Sequence, residues 1–335
     1  MTRKAAVIIT AISALIGQLS THDRVNADHI VIKIATTAPE GTPIEKQLLD
    51  LKSFITKETQ GWVRVKIFTG GSLGDDKKLV ERTLNGTIQV FAGTADCFCE
   101  KVPEVCVLQA PYLFSGEAHA ARALEGPVSK QLASLLPDRG FVLSMLTEYG
   151  FRSWFTKQGP IRRPGDLKTL RLPVRHADKA QQELFRILEI AAVEMNVTEV
   201  RENLRRGTLD GFESTPVEAA ASSWYRSVKH LTLSEHSYQP GIVVYSKKWF
   251  DGLPERLKVS LARIPNQLVK DERIAVRALN ANLLTNMQQR GIEIYRPSSK
   301  EKGWFIRYGD RISKALVGAA GGGGRNILQA IRRTR

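Results

Sequence analysis

The chain has 335 residues, enough for two domains with separate cores, and 42% of them are hydrophobic, as in an ordinary globular protein. A formal net charge of +15 biases the surface toward anionic ligands or membrane faces. Lys and Arg are nevertheless spread evenly rather than clustered among aromatics, which argues against a nucleic-acid partner.

The first segment, "MTRKAAVIITAISALIGQLSTHDRVNA", has Arg3 and Lys4, an uncharged apolar run over 5–17, and a polar stretch ending in Val25-Asn26-Ala27. That is the layout of a secretory signal peptide over 1–27, and it predicts a periplasmic mature chain. The run is too short for a bilayer of roughly 30 Å, and no later stretch is apolar enough to cross one, so the protein is not expected to be membrane-embedded. An uncleaved anchor or a buried first helix is the alternative. Losing Arg3, Lys4, Asp23 and Arg24 would leave a charge of +13. Secretion itself also speaks against nucleic acid.

"HIVIKIAT" (29–36) predicts a strand. Thr42, Pro43 and Glu45 then supply an N-cap hydroxyl, a first-turn proline and a capping-box glutamate. Leu48, Leu51 and Ile55 share a face of the helix that follows. "WVRVKIF" (62–68) alternates as a strand, and "TGGSLGDD" is a glycine turn that places Asp75 and Asp76 at a helix start, where carboxylates suit the dipole. "TIQVFAG" is a third strand. Strand, helix, strand, helix, strand predicts crossover units and a largely parallel sheet. Cys97, Cys99 and Cys106 follow closely. In an oxidising compartment a Cys97–Cys106 or Cys99–Cys106 bridge is open, as are three reduced thiols; zinc lacks a fourth ligand.

The same grammar recurs beyond residue 150. "LKTLRLPV" predicts a strand, 179–188 a helix, "AVEM" a short strand, and Asn196 with Glu199 caps for a helix to Arg206. "NGTIQVFAGT" (85–94) is echoed by "RGTLDGFEST" (206–215), which suggests two similarly built lobes presenting strand ends to a shared cleft, where open α/β sheets bind ligands. "HLTLSE" and "GIVVYS" read as strands, and 266–290 as one helix able to brace both lobes. "GAAGGGGRN" has neither a Walker lysine nor GxGxxG spacing and reads as a flexible break.

No GxSxG, HExxH or histidine pair at ligand spacing occurs, so neither a metal nor a cofactor is expected. "SEHSY" sets Ser234, Glu235 and His236 side by side, but neighbours on a strand face opposite ways and make no triad. A secreted hydrolase or transferase is the runner-up. A two-lobed secreted α/β protein without catalytic machinery suits a solute receptor that closes by hinge motion.

In order, "IKIATTAPEGTP", "VKIFTGGSLGDD", "LNGTIQV", "APYLF", "GFRSWFT", "DLKTLRLPV" and "GTLDGFESTP" resemble the substrate-binding proteins of tripartite ATP-independent periplasmic (TRAP) transporters, the DctP-type family. The likeness runs from about residue 30 to beyond 250. It implies an α/β, two-lobed periplasmic-binding-protein (Venus flytrap) fold with a long helix bracing both lobes. The lobes are assigned to 28–150 plus about 240–280 and to 151–239 plus about 281–335. It also implies an organic-acid ligand, delivery to small and large permease subunits, ion-gradient-driven uptake and one ligand per monomer. A sensory receptor of the same fold has the same signature.

By the same resemblance, Arg171 is the ligand-carboxylate clamp and Arg152 a second contact. Glu213, Ser214 and Thr215 stand where a polar contact is expected, but an asparagine is replaced and one residue is added before Pro216. Glu40, Thr42 and the strand end at Asp96 are expected to face the cleft. A guanidinium meets a carboxylate as a bidentate fork, which lysine cannot do. Arg175 is expected at the rim, and Trp154 and Phe155 in the core or on the pocket wall.

Overall fold

A computed structural model describes residues 30–264 and 266–335; the proposed signal peptide lies outside them. The first lobe follows the predicted order. Strand β1 (Ile30–Ala35) leads to helix α1 (Pro43–Glu58), which Thr42 caps by accepting from the Glu45 amide, while Glu45 accepts from Gly41. Ile44, Leu48, Leu51 and Ile55 form its buried stripe. Strand β2 (Val63–Phe68) pairs parallel with β1, helix α2 (Asp76–Leu84) starts on an Asp75 cap, and β3 (Val90–Thr94) joins the other side of β1. The next segment holds the short helix α3 (Pro103–Cys106), with Cys99 bridged to Cys106 and Cys97 buried and free. Helices α4 (Glu117–Glu125) and α5 (Pro127–Leu135) complete this run.

Strand β4 (Phe141–Thr156) then leaves the first lobe for the second. There lie β5 (Arg171–Val174), α6 (Lys179–Leu188), β6 (Ala191–Glu194), α7 (Val197–Arg206), β7 (Gly211–Ser214) and α8 (Pro216–Ala221). Strand β8 (His230–Ser246) returns, followed by α9 (Lys247–Asp251), α10 (Glu255–Ala262), α11 (Asn266–Gln289), β9 (Glu293–Tyr295) and α12 (Ser299–Arg332).

The sheet is mixed rather than largely parallel. Its order is β2-β1-β3-β8-β4-β7, with β9 also on β8, and only β5-β6 stands apart. The β3/β8, β8/β4 and β4/β7 pairs are antiparallel. The reason is the pair β4/β8: β8 reads in sequence as two strands, "HLTLSE" and "GIVVYS", and β4 draws no strand prediction, yet each is one long strand crossing between lobes. Three register shifts along the pair let a single ladder bend without breaking. The echoed segments become β3 and β7, which occupy equivalent places, one beside β8 in the first lobe and one beside β4 in the second.

Two helices tie the halves together. α11 packs on β4, α1 and α8. Its Asn280 donates to Tyr149 O at 3.0 Å and accepts from the Val217 amide at 2.9 Å, joining the crossing strand to the second lobe. Gly150, at φ +101°, sits where a Cβ would come 2.7 Å from that amide nitrogen, so the close approach needs glycine. α12 overturns the expected flexible break: the helix runs through the glycine-rich stretch, with only Gly321 non-helical. It packs against α3, α4 and α5 of the first lobe as well as α6 of the second. The glycines serve contact, since a Cβ at Gly309 would lie 2.8 Å from Pro111 O.

Candidate functional site

The carboxyl ends of β1, β2, β3, β5 and β6 converge on a cavity of about 570 Å³ between the lobes. This is the place where open α/β sheets hold ligands, because loops and helix starts there offer unpaired backbone groups. The first lobe contributes Thr37, Thr42, Asp76, Thr94 and Asp96; the second contributes Arg175, Asn196 and Glu218. Among the described residues no group of three or more His, Cys, Asp or Glu is arranged to hold a metal ion.

Arg175 is the buried cation of the cavity wall. It follows the last residue of β5, its side chain is 15% exposed, and its Nη2 lies 2.9 Å from Asp96 Oδ2 and 3.5 Å from Asp178 Oδ2. The contact with Asp96 is one of charge without hydrogen-bond alignment: neither Nη2 nor Oδ2 has a hydrogen-bond partner. Burial raises the Asp96 carboxyl, but Arg175 and then Arg152 outweigh it and hold the group below its ordinary value. Asp76 behaves oppositely. Burial pushes it up, and Arg175 and the Thr37 hydroxyl, 2.7 Å away, only partly offset this. Burial, with Asp76 and Asp96 nearby, also raises the Cys97 thiol well above its usual value, so it stays neutral.

Behind Arg175 lies a second, sealed layer. Arg152 is 2% exposed and donates to Asp178 at 2.8 Å and Gln239 at 2.9 Å, with Glu213 at 3.5 Å. Asp178 also caps α6 by accepting from the Gln181 amide. Glu213 takes Gln181 Nε2 at 2.9 Å and His236 Nε2 at 3.0 Å. Burial alone would raise it, yet Arg152 and His236 bring it down to about 2.

The predicted residues therefore separate. Thr42 and Asp96 stand on the cavity wall. Arg152 and Glu213 lie in the layer behind. Ser214 donates to Glu218 at 2.7 Å and Thr215 caps α8, so both position Glu218 rather than line the cavity. Glu40 is exposed outside the cavity, within 3.4 Å of the Thr69 hydroxyl. Arg171 also lies outside the cavity, 49% exposed, in a bidentate pair with Asp210 at 2.8 Å and donating to Gly207 O. Four residues along a strand span roughly 13 Å, so Arg171 at the start of β5 and Arg175 past its end occupy opposite ends. The rim assignment of Arg175 is corrected accordingly. Trp154 and Phe155 are fully buried core residues. Sequence reasoning missed Arg175, Asp76 and Glu218 as wall residues; the rule that ligands sit at carboxyl strand ends was the available signal for Arg175.

Ser234 and His236 do meet, two residues apart on one face of β8, with Oγ 2.7 Å from Nδ1, and His236 continues to Glu213. All three are buried, and the void beside His236 is only about 10 Å³, too small for an acyl substrate. His236 lies flat on the Trp154 ring at 4.5 Å. This chain of hydrogen bonds orients Glu213 toward Arg152.

The profile described as "Bacterial extracellular solute-binding protein, family 7" (DctP) matches residues 34–316. A solute-binding protein of Verminephrobacter eiseniae (strain EF01-2) is 29% identical over 241 residues, 72% of this chain and 71% of its own. The 2,3-diketo-L-gulonate-binding periplasmic protein YiaO of Escherichia coli (strain K12) is 25% identical over 258 residues, 76% of this chain and 78% of its own. The sugar acid binding protein DctPAm from Advenella mimigardefordensis strain DPN7T, solved in complex with galactonate, matches with a TM-score of 0.83 at 25% identity. That match covers 91% of this chain and 98% of the other. With the crossing strands, the bracing helix and the cleft at the strand ends, the profile places this chain in family 7 of the bacterial extracellular solute-binding proteins, the DctP-type receptors of TRAP transporters.

Proposed function

We propose that this protein is an extracytoplasmic receptor that captures a carboxylate-bearing solute between its lobes, with Arg175 as the anion anchor, and delivers it to a membrane permease. The observation that carries the reading is the largely buried Arg175 guanidinium at the carboxyl end of β5, on the wall of a cavity of about 570 Å³ and held there by Asp96 at 2.9 Å. Relatives support the ligand class: one is named for 2,3-diketo-L-gulonate and a structural neighbour holds galactonate. A periplasmic location agrees with the proposed leader at 1–27.

Arg152 acts at one remove. It holds Asp178, which in turn contacts Arg175, so the sealed layer fixes the anchor's direction before the ligand arrives. Preorganisation of this kind lowers the cost of binding. The test is a thermal-shift screen over organic acids followed by calorimetry on the hit. Arg175→Met is expected to weaken the cognate acid by about 2–5 kcal/mol, roughly thirty-fold or more, while Arg171→Ala binds as wild type does. Unchanged affinity in Arg175→Met would overturn the assignment.

A further inference from the structure

The cleft holds more negative charge than a simple acid receptor needs. Asp76, Asp96 and Glu218 reach its inner wall, against the single guanidinium of Arg175. Asp96 is 1% exposed, and its Oδ2 lies 2.9 Å from Arg175 Nη2 without hydrogen-bond alignment. Glu218 is occupied on Oε2 by the Ser214 hydroxyl. The layer behind supplies no spare cation, because Arg152 already faces Asp178 and Glu213, and Asp178 takes a further share of Arg175. At the rim Asp75, Glu81 and Glu100 outnumber Lys77 and Lys101. In a chain of net charge +15 this lining reverses the overall sign.

A solute carrying only carboxylate charge would bring a further anion beside Asp96, which already shares the Arg175 guanidinium, and beside Asp76 and Glu218, which form no ion pair among the described residues. Closure of the lobes would remove the water that screens them, so the repulsion would grow at the moment of capture. A solute with a cationic nitrogen removes the conflict, since its ammonium supplies the charge that the wall lacks. We propose that the ligand is zwitterionic, an amino acid or amino sugar acid in chemical class, with its carboxylate on Arg175 and its ammonium among Asp76, Asp96 and Glu218. The inference rests on the carboxylate-receptor reading and narrows it. Ile44, Val197 and Val217 on the same wall give the carbon skeleton an apolar side.

Matched pairs that exchange an amine for a hydroxyl test this by calorimetry on the mature chain: aspartate with malate, glutamate with 2-hydroxyglutarate, alanine with lactate, glucosaminate with gluconate. The expected result is that at least one amino member binds ten-fold or more tightly than its hydroxy twin. Glu218→Gln or Asp76→Asn should remove most of that preference, and the two variants guard against misfolding of either. If no amino member outbinds its twin, or if both variants fold and keep the preference, the zwitterion is overturned. Hydroxy acids that bind best and are lost in Arg175→Met would sink this inference and leave the carboxylate receptor standing. An amino alcohol binding as tightly as its amino acid would sink the carboxylate reading and the zwitterion with it.

Discussion

Arg171 and Arg175 differ by four positions and share a residue type, yet their surroundings give them different work. Arg171 commits Nε and Nη2 to Asp210 and Gly207 in open solvent, outside the cavity. Arg175 instead lines the cavity, with Nη2 held against the buried Asp96 carboxylate by charge alone. Arg152 shows the third case, a cation sealed in the layer behind. Removing it would leave Asp178 and Glu213 buried together, and breaking a buried pair costs about 3–5 kcal/mol. Arg152→Met is therefore expected to lower the urea midpoint strongly, whereas Arg171→Ala leaves it nearly unchanged; equal effects would contradict the layered description. Glu213, held at about 2, carries a pH signature of its own. A carboxylate with a depressed folded value contributes stability above its ordinary value of 4.5 and loses it as pH falls toward 2. The stability gap between wild type and Glu213→Gln should thus close over that acid range.

At the scale of elements, α11 and α12 do the joining, and each has a testable peculiarity. Glu272 on α11 is 5% exposed and sits near Glu148, which accepts from Tyr238, Arg273 and Arg277. Burial, then the Glu148 charge, pushes Glu272 up to about 8. A carboxyl raised in the folded state costs nothing below its ordinary 4.5, where it is protonated in both states, and its full penalty above 8. Glu272→Gln should therefore match wild type near pH 4.5 and gain stability up to pH 8, by as much as a few kcal/mol at about 1.4 kcal/mol per unit. Chemical denaturation at both pH values reads this, and a constant difference would contradict it. On α12, Gly309 and Gly318 make a matched pair. Alanine at Gly318 meets nothing within 4 Å and should stabilise the helix by up to about 1 kcal/mol. Alanine at Gly309 meets Pro111 O at 2.8 Å and should instead cost about 1–3 kcal/mol.

At the scale of the molecule, local signals in the sequence were sound and long-range pairing was not visible. The caps at Thr42 and Asp75, the strands of the first lobe and the span of α11 are set by neighbours in the chain, so pattern alone locates them. The mixed sheet depends on β4 and β8, whose paired residues lie up to 105 positions apart (Phe141 and Ser246) and whose bulges interrupt strict alternation. "GAAGGGGRN" reads as a flexible break because glycine lowers helix propensity, and packing of α12 against α3 to α6 overrides that preference. The site divided in the same way. Thr42 and Asp96, expected at the cleft from the family resemblance, line the cavity, while "LKTLRLPV" predicts a strand but not where it ends. Which arginine meets the cleft is decided by where β5 stops.

The central claim is that the cleft at the carboxyl strand ends is the binding site and Arg175 its anchor. A crystal structure of the protein with its cognate solute tests it most directly. A ligand carboxylate is expected at roughly 2.7–2.9 Å from the Arg175 guanidinium, with Arg171 still paired to Asp210. A solute carboxylate on Arg171, or a ligand outside the cavity, would contradict it.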